Sequence, residues 1–305
     1  ESGLALVPAN GPGKTGLANL GNSCYISSVI QLLFRTPAFI KRYYEAYQDI
    51  VSRDTSRDPS DELTVQMGKV AHGLWSGKYS SDHADWLGPE GAPAPRGLKA
   101  LIGRGHREFA TGRQQDAAEF YQHLLMRIER ADRAGHVGGH VDDGHVATHG
   151  FVFNVEERLE CLQSGHVRYA PLRRENLVSA PIPIESATNG HVVGDHVNKP
   201  RVSLLSCLES YIGANHIDGF LSPSTGSRGP ASITLRLATF PDVLMIQAQR
   251  FAIGPDGRPI KLDVMVDAPD EIDIGFMRGV GVKQGEVVMK EEVRKGKRKG
   301  IEGKR

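Results

Sequence analysis

The sequence is poor in most of the features that would announce a function. It has three cysteines in 305 residues, Cys24, Cys161 and Cys207. They stand too far apart for a disulfide framework and form no CxxC pair that would hold zinc. That usage predicts a reducing compartment, the cytoplasm first and the nucleus second. No apolar run, including that around 243–246, approaches the roughly 20 residues of a membrane-spanning helix. The opening ESGLALVPAN has neither the basic region nor the apolar core of a secretory signal. It begins with Glu1 rather than Met, which predicts a processed or excised piece. Net charge is nearly absent: 37 Lys and Arg against 36 Asp and Glu leave +1. That balance argues against a protein organised around nucleic acid or an anionic membrane. No internal repeat is evident.

What is present suits a folded domain. At 39% hydrophobic and 24% charged, the chain can bury a core in one large domain or two modest ones. The 35 glycines and 17 prolines predict many turns rather than a helical bundle. Ile26, Val29, Ile30 and Leu33 recur at helical spacing and predict a helix over 24–47, interrupted or restarted at Pro37. Asp61 can cap a second helix over 63–75, and a short one is expected at 98–101. Residues 116–130, DAAEFYQHLLMRIER, give the clearest helix, with Ala117, Phe120, Leu124 and Ile128 on one face. After Gly150 the pattern turns to strands at 151–158, 166–169, 177–184, 233–237, 243–251 and 260–266. A helix is expected at 203–211, and turns at Ser164-Gly165 and 254–257. Helices first and strands second predict an α+β protein with two lobes.

Several segments invite a chemical reading. PANGPGKT at 8–15 is one residue short of a phosphate loop, but Pro8 replaces its first glycine and no helix follows directly, so a plain loop is expected. His136, His140, His145 and His149 with Asp142 and Asp143 could ligate zinc, yet they sit among glycines without a scaffold, and a loop is expected there too. The tail from Lys290 to Arg305 carries eight basic and three acidic residues and reads as a solvated linker. The segment GLANLGNSCYISS at 16–28 is different. Asn22 or Ser23 can cap a helix whose first turn holds Cys24, where unpaired N–H groups and the dipole favour a thiolate. Asn19 can aim an amide at an oxyanion formed on a carbonyl that Cys24 attacks. From the residues alone, a buried small Cys24 with Asn19 only supporting a turn is the commoner reading, since free cysteines are usually buried.

GLANLGNSCYISSVIQLLF resembles the cysteine box of the ubiquitin-specific proteases, papain-like enzymes that cleave after the C-terminal glycine of ubiquitin. RQQDAAEF at 113–120 and FPDVLMIQAQRF at 240–251 resemble two further motifs in the family's order. LWSGKYS at 74–80, 100–125, VEERLECLQSGHVRY at 155–169 and 251–274 are similar to the isopeptidase T branch, which acts on unanchored polyubiquitin. The resemblance spans about 16–285 and implies Cys24 as nucleophile, Asn19 in the oxyanion hole, and Gln115 and Asp116 beside the ubiquitin tail. The motif at 240–251 reads as a buried core strand. Many relatives carry two CxxC pairs that bind zinc; this chain has neither, as in that branch, so no metal and no cofactor are implied.

The resemblance also implies an architecture: a lead-in at 1–15, a helical thumb at 16–150, fingers at 151–230, the first part of a palm at 231–285, and a basic tail at 286–305. A thiol protease needs a base to take and return the proton. The family's late histidine box has no match here, and His106, His123 and His166 read as packing, surface or strand residues. The expected partners are therefore ubiquitin or polyubiquitin and a C-terminal half carrying that histidine and the rest of the palm. No membrane is expected, and nucleic acid is disfavoured. The alternative is a catalytically inactive ubiquitin-binding protein that keeps the fold.

Overall fold

The structure, a computed structural model, describes residues 11–54, 58–80, 93–134, 146–188, 192–193, 196–197, 199–254 and 256–289. Residues 290–305 of the basic tail and the histidine run, apart from His149, lie outside these residues. The chain divides into two compact units, 1–150 and 151–305.

In the first unit the chain turns through Gly21 and Asn22, at φ 80° and 53°, and enters α1, Cys24–Leu33. The expected stripe is its buried face: Ile26, Val29, Ile30 and Leu33 are each 6% exposed or less. Burying such side chains contributes roughly 1.5–3 kcal/mol each. Pro37 restarts the chain as expected, at the first position of α2, Pro37–Phe39, where its missing N–H costs nothing. A π-helical turn, Ile40–Glu45, and α3, Tyr47–Arg53, continue it. Periodicity read at 3.6 residues per turn did not anticipate the π segment. In α4, Leu63–Trp75, Asp61 is not the cap. Its carboxylate pairs with Arg104 at 2.7 Å, while Asp58 caps the preceding turn by accepting from the Ser60 N–H at 2.8 Å.

The helix α5, Arg96–Gly103, ends where the chain folds back sharply. A Cβ at Gly103 would lie 2.7 Å from the Phe109 carbonyl oxygen, so this close return requires glycine. The longest helix, α6, spans Ala117–Ala134 and buries Phe120, Tyr121, Leu124, Leu125 and Ile128. Residues 11–15, the described part of the phosphate-loop lookalike, form a strap. Gly13 donates to the Leu74 carbonyl, and the Gly13 and Thr15 carbonyls accept from Arg35 and Gln31. Its backbone is engaged by protein, the reverse of an open N–H nest.

In the second unit the long strand β1, Phe153–Cys161, pairs antiparallel with β2, Val167–Tyr169, with β3, Arg173–Glu175, and with β9, Arg228–Leu237. The turn at Ser164-Gly165 is present, with Gly165 at φ 69°. Strand β4, Val178–Pro181, pairs in parallel with β10, Ile246–Gln249. A short β5–β6 pairing joins Val192–Val193 to His196–Val197. Strand β7, Arg201–Ser203, pairs with β13, Met265–Asp267. Between them α7, Leu204–Ile212, is capped by Ser203, which accepts from the Ser206 N–H. Phe153, Val155, Val178, Val202, Leu208, Leu237 and Met277 form the centre of this unit's core.

Two departures from expectation are informative. The strand β8, Asn215–Leu221, pairs with β9 through a register shift between Ile217 and Phe220. Its sequence NHIDGFL carries Asp and Gly and buries little, so backbone ladder bonds rather than pattern define it. The segment expected as one buried strand at 243–251 is not continuous and only partly buried: Leu244, Ile246 and Ala248 pack against the core, whereas Phe251 does not. It breaks at Arg250, whose guanidinium donates to the Val264 carbonyl at 2.7 Å. Beyond the break a hairpin joins β11, Phe251–Ile253, to β12, Pro259–Lys261. Phe251 and Ile253 are 71% and 73% exposed, because β10 pairs with β4 alone among the described residues and no layer covers this hairpin. No helix among the described residues is long and apolar enough to cross a membrane.

Candidate active site

The turn before α1 is braced from within. Asn19 Oδ1 accepts from the Gly21 N–H at 3.1 Å, the Ser23 N–H at 3.3 Å and the Ser23 hydroxyl at 3.1 Å. Ser23 Oγ accepts in turn from the Leu20 N–H at 2.8 Å. Ser23 therefore occupies the N-cap position without capping by its side chain, because its fully buried hydroxyl is committed to the loop. Three donors converging on one end of the Asn19 amide fix that end as the oxygen. Nδ2 becomes the outward donor, with no protein acceptor among the described residues. Cys24, exposed, follows as the first residue of α1. Helix geometry leaves its N–H and that of Tyr25 without intrahelical acceptors. An exposed thiol, an amide whose Nδ2 is left to donate and backbone N–H groups without intrahelical acceptors thus occur within one turn, the groups that acyl chemistry at a carbonyl uses.

Beneath the cysteine lies an aromatic floor. Tyr25 stacks on Phe109 with centroids 6.0 Å apart and meets Phe120 edge-on at 5.2 Å. Its buried hydroxyl lacks a partner among the described residues, and burial, with a smaller contribution from Cys24, raises its pKa. His106 stacks on Phe109 at 4.2 Å, and His123 lies 4.5 Å from His106. Burial, then the neighbouring His106, holds the His123 pKa below the ordinary imidazole value. Both histidines thus pack in the floor of this region, the role expected of them over that of a base.

The segment 106–120 carries the other predicted pair. Gln115 donates through Nε2 to the Glu108 carbonyl at 2.9 Å and to Thr111 Oγ1 at 3.0 Å, which leaves its Oε1 as an acceptor. Asp116 Oδ1 accepts from the N–H groups of Ala118 at 2.7 Å and Glu119 at 2.9 Å. It is the N-cap of α6. The second carboxylate oxygen remains available, so Gln115 and Asp116 offer adjacent acceptors suited to the N–H groups of an extended peptide. Sequence reading missed what joins this segment to Cys24. Asn22 Nδ2 donates to the Gly112 carbonyl at 2.9 Å, across 90 residues. Asn22 had been weighed only as a cap; its left-handed φ shows in the sequence as no more than a Gly-Asn pair.

The other two cysteines are buried. Hydrogen bonds from Ser164 and Ser222 lower the Cys161 pKa to about 7, whereas burial raises that of Cys207. Neither is accessible as Cys24 is. Among the described residues no group of His, Cys, Asp and Glu is arranged to hold a metal ion.

Comparison with known proteins adds a pedigree to this geometry. The family model described as ubiquitin carboxyl-terminal hydrolase matches residues 15–292. Ubiquitin carboxyl-terminal hydrolase 5 of Mus musculus is 38% identical over 311 residues, covering 94% of this chain and 35% of that protein. Ubiquitin carboxyl-terminal hydrolase A of Dictyostelium discoideum is 38% identical over 320 residues, covering 95% of this chain and 37% of that one. The chain thus spans about a third of the length of these curated relatives. In fold it is similar to a chain in the structure of the SAGA Ubp8/Sgf11/Sus1/Sgf73 DUB module bound to ubiquitin aldehyde. The TM-score is 0.66 at 20% identity, covering 93% of this chain and 58% of that one.

Proposed function

The chain belongs to the ubiquitin carboxyl-terminal hydrolase family, and on that premise we propose that it is the cysteine-bearing part of a deubiquitinating thiol hydrolase. In this reading it cleaves isopeptide bonds at the C-terminal glycine of ubiquitin, and its substrate is unanchored polyubiquitin, as in the isopeptidase T type. The observation that carries the proposal is the braced turn, which presents an exposed Cys24 beside the outward amide of Asn19.

The Cys24 thiolate attacks the glycine carbonyl carbon, and the resulting oxyanion takes hydrogen bonds from Asn19 Nδ2 and the backbone N–H of Cys24. The C–N bond breaks as a histidine outside this chain returns a proton to the departing lysine amine. Water then hydrolyses the thioester, releasing the ubiquitin carboxylate and regenerating the thiol. Gln115 Oε1 and the free oxygen of Asp116 accept from the N–H groups of the ubiquitin tail. No step needs a cofactor. The first unit serves as thumb, and the second supplies fingers and the beginning of a palm. The exposed Phe251 and Ile253 form a surface on which the palm is completed by the C-terminal half that carries the histidine. We place the enzyme in the cytoplasm, with the nucleus as a second location.

A ubiquitin probe with an electrophilic C-terminus tests the reading by intact mass. Labelling is expected in the presence of the C-terminal half and is lost in Cys24→Ala. A folded, complemented complex that binds ubiquitin but does not label would overturn it in favour of a ubiquitin-binding protein without activity.

A further inference from the structure

We propose that Asn22 is a positioning residue, a latch that ties the Cys24 turn to the segment bearing Gln115 and Asp116. The proposal rests on the reading of Cys24 as the nucleophile and adds how its placement is held.

Three observations converge on Asn22. It is the one non-glycine with positive φ among the described residues, at 53°, and it follows Gly21 at 80°. Two successive left-handed residues reverse the chain immediately before Ser23 and Cys24, and asparagine is among the few side chains that tolerate this backbone. Its Nδ2 then bonds the Gly112 carbonyl at 2.9 Å. Gly112 belongs to a bend that is itself fixed from the other side. Gln115 bonds both Glu108 and Thr111, and His106 Nδ1 accepts from the N–H groups of Glu108 and Phe109 at 3.3 Å.

The consequence is a division of labour within one turn. Asn19 and Ser23 brace the loop internally. Asn22 refers that loop to Gly112, three residues before Gln115. An acceptor pair that grips a peptide tail and a thiol that attacks its end must keep register to a fraction of an ångström, and a misplacement of about 1 Å costs on the order of 100-fold in rate. The aromatic contacts of Tyr25 with Phe109 and Phe120 anchor α1 below the turn. Among the described residues, the Asn22 bond is the hydrogen bond joining the turn itself to that segment.

Substitution separates the latch from the backbone it occupies. Asn22→Gly keeps the left-handed conformation without strain and removes the donor. Asn22→Asp keeps shape and φ tolerance but sets a carboxylate oxygen against the Gly112 carbonyl. The full-length protein and both variants would be compared by hydrogen exchange, by thermal unfolding and by turnover of a ubiquitin–lysine isopeptide substrate. Amides in 20–25 and 111–116 are expected to exchange about tenfold faster in the variants, with the Tm of Asn22→Gly within about 2 °C of wild type. The kcat is expected to fall about 10- to 100-fold while KM stays within about twofold, since the acceptors of the tail are untouched. Unchanged exchange at 111–116 would overturn the latch whether or not the protein is active. Faster exchange with unchanged kcat would reduce Asn22 to a structural link and overturn the positioning role. A wild-type protein inert towards the substrate would instead sink the deubiquitinase reading, and exchange alone would then decide whether the latch exists.

Discussion

Asp116 carries two assignments that substitution can pull apart. As N-cap it satisfies two backbone donors of α6, at 2.7 and 2.9 Å, through one oxygen. The proposed contact with the ubiquitin tail uses the other oxygen. Asp116→Ala returns both donors to water at an exposed helix start, a loss of about 1 kcal/mol. Asparagine caps about as well as aspartate, so Asp116→Asn is expected to cost only the charge–dipole part, about 0.3–0.5 kcal/mol. For cooperative units of this size, about 1 kcal/mol lowers Tm by roughly 2–4 °C. Thermal unfolding near neutral pH would therefore order the three proteins as wild type, Asn, Ala, with Asn close to wild type. Binding of ubiquitin, followed by calorimetry, should rank them differently. Both variants lose the charge-assisted acceptor for the tail, so Asn falls with Ala, by about tenfold in affinity. An Asn variant that binds ubiquitin as tightly as wild type would refute the tail contact and leave Asp116 as a cap alone. An Ala variant with unchanged Tm would refute the capping argument.

Two further outcomes follow from the same geometry. Asn19→Asp keeps the Oδ1 acceptor that braces the turn and replaces the outward donor with an oxygen; kcat should fall by about 100-fold or more in a steady-state ubiquitin-cleavage assay while Tm holds, and a near-normal kcat would remove Asn19 from the oxyanion site. In the second unit, burial opposes ionisation of Glu286, but bonds from the Lys283 N–H, Tyr169 and Arg158 outweigh it and hold its pKa below the ordinary carboxylate value. A carboxylate depressed on folding stabilises above its unfolded pKa, about 4.3, and that contribution is lost as pH falls through the folded value. Glu286→Gln should thus lower Tm at neutral pH and flatten its decline below about pH 4.3; parallel Tm–pH curves for the two proteins would refute the linkage.

Local chemistry was legible without coordinates. The stripe of Ile26, Val29, Ile30 and Leu33 specified the buried face of α1 because helical period fixes which side chains share a face. Pro37 fixed the restart, since its ring closes off a continuing hydrogen bond. The apolar face of Phe120, Leu124 and Ile128 marked α6. The cysteine box and the motif at 113–120 identified the family. Tertiary structure decided what depends on partners distant in the chain. Strand β8 exists through its ladder with β9, although nothing in NHIDGFL demands a strand. The apolar run ending in Phe251 looked like continuous core, yet burial is a property of what packs against a segment: Leu244, Ile246 and Ala248 lean on the core, while Phe251 is 71% exposed. The two motifs could each be recognised alone. That the two segments are joined was written in no local pattern: the Asn22 amide meets the Gly112 carbonyl 90 residues away, and a hydrogen bond of that span leaves no periodicity, spacing or composition by which a sequence could disclose it.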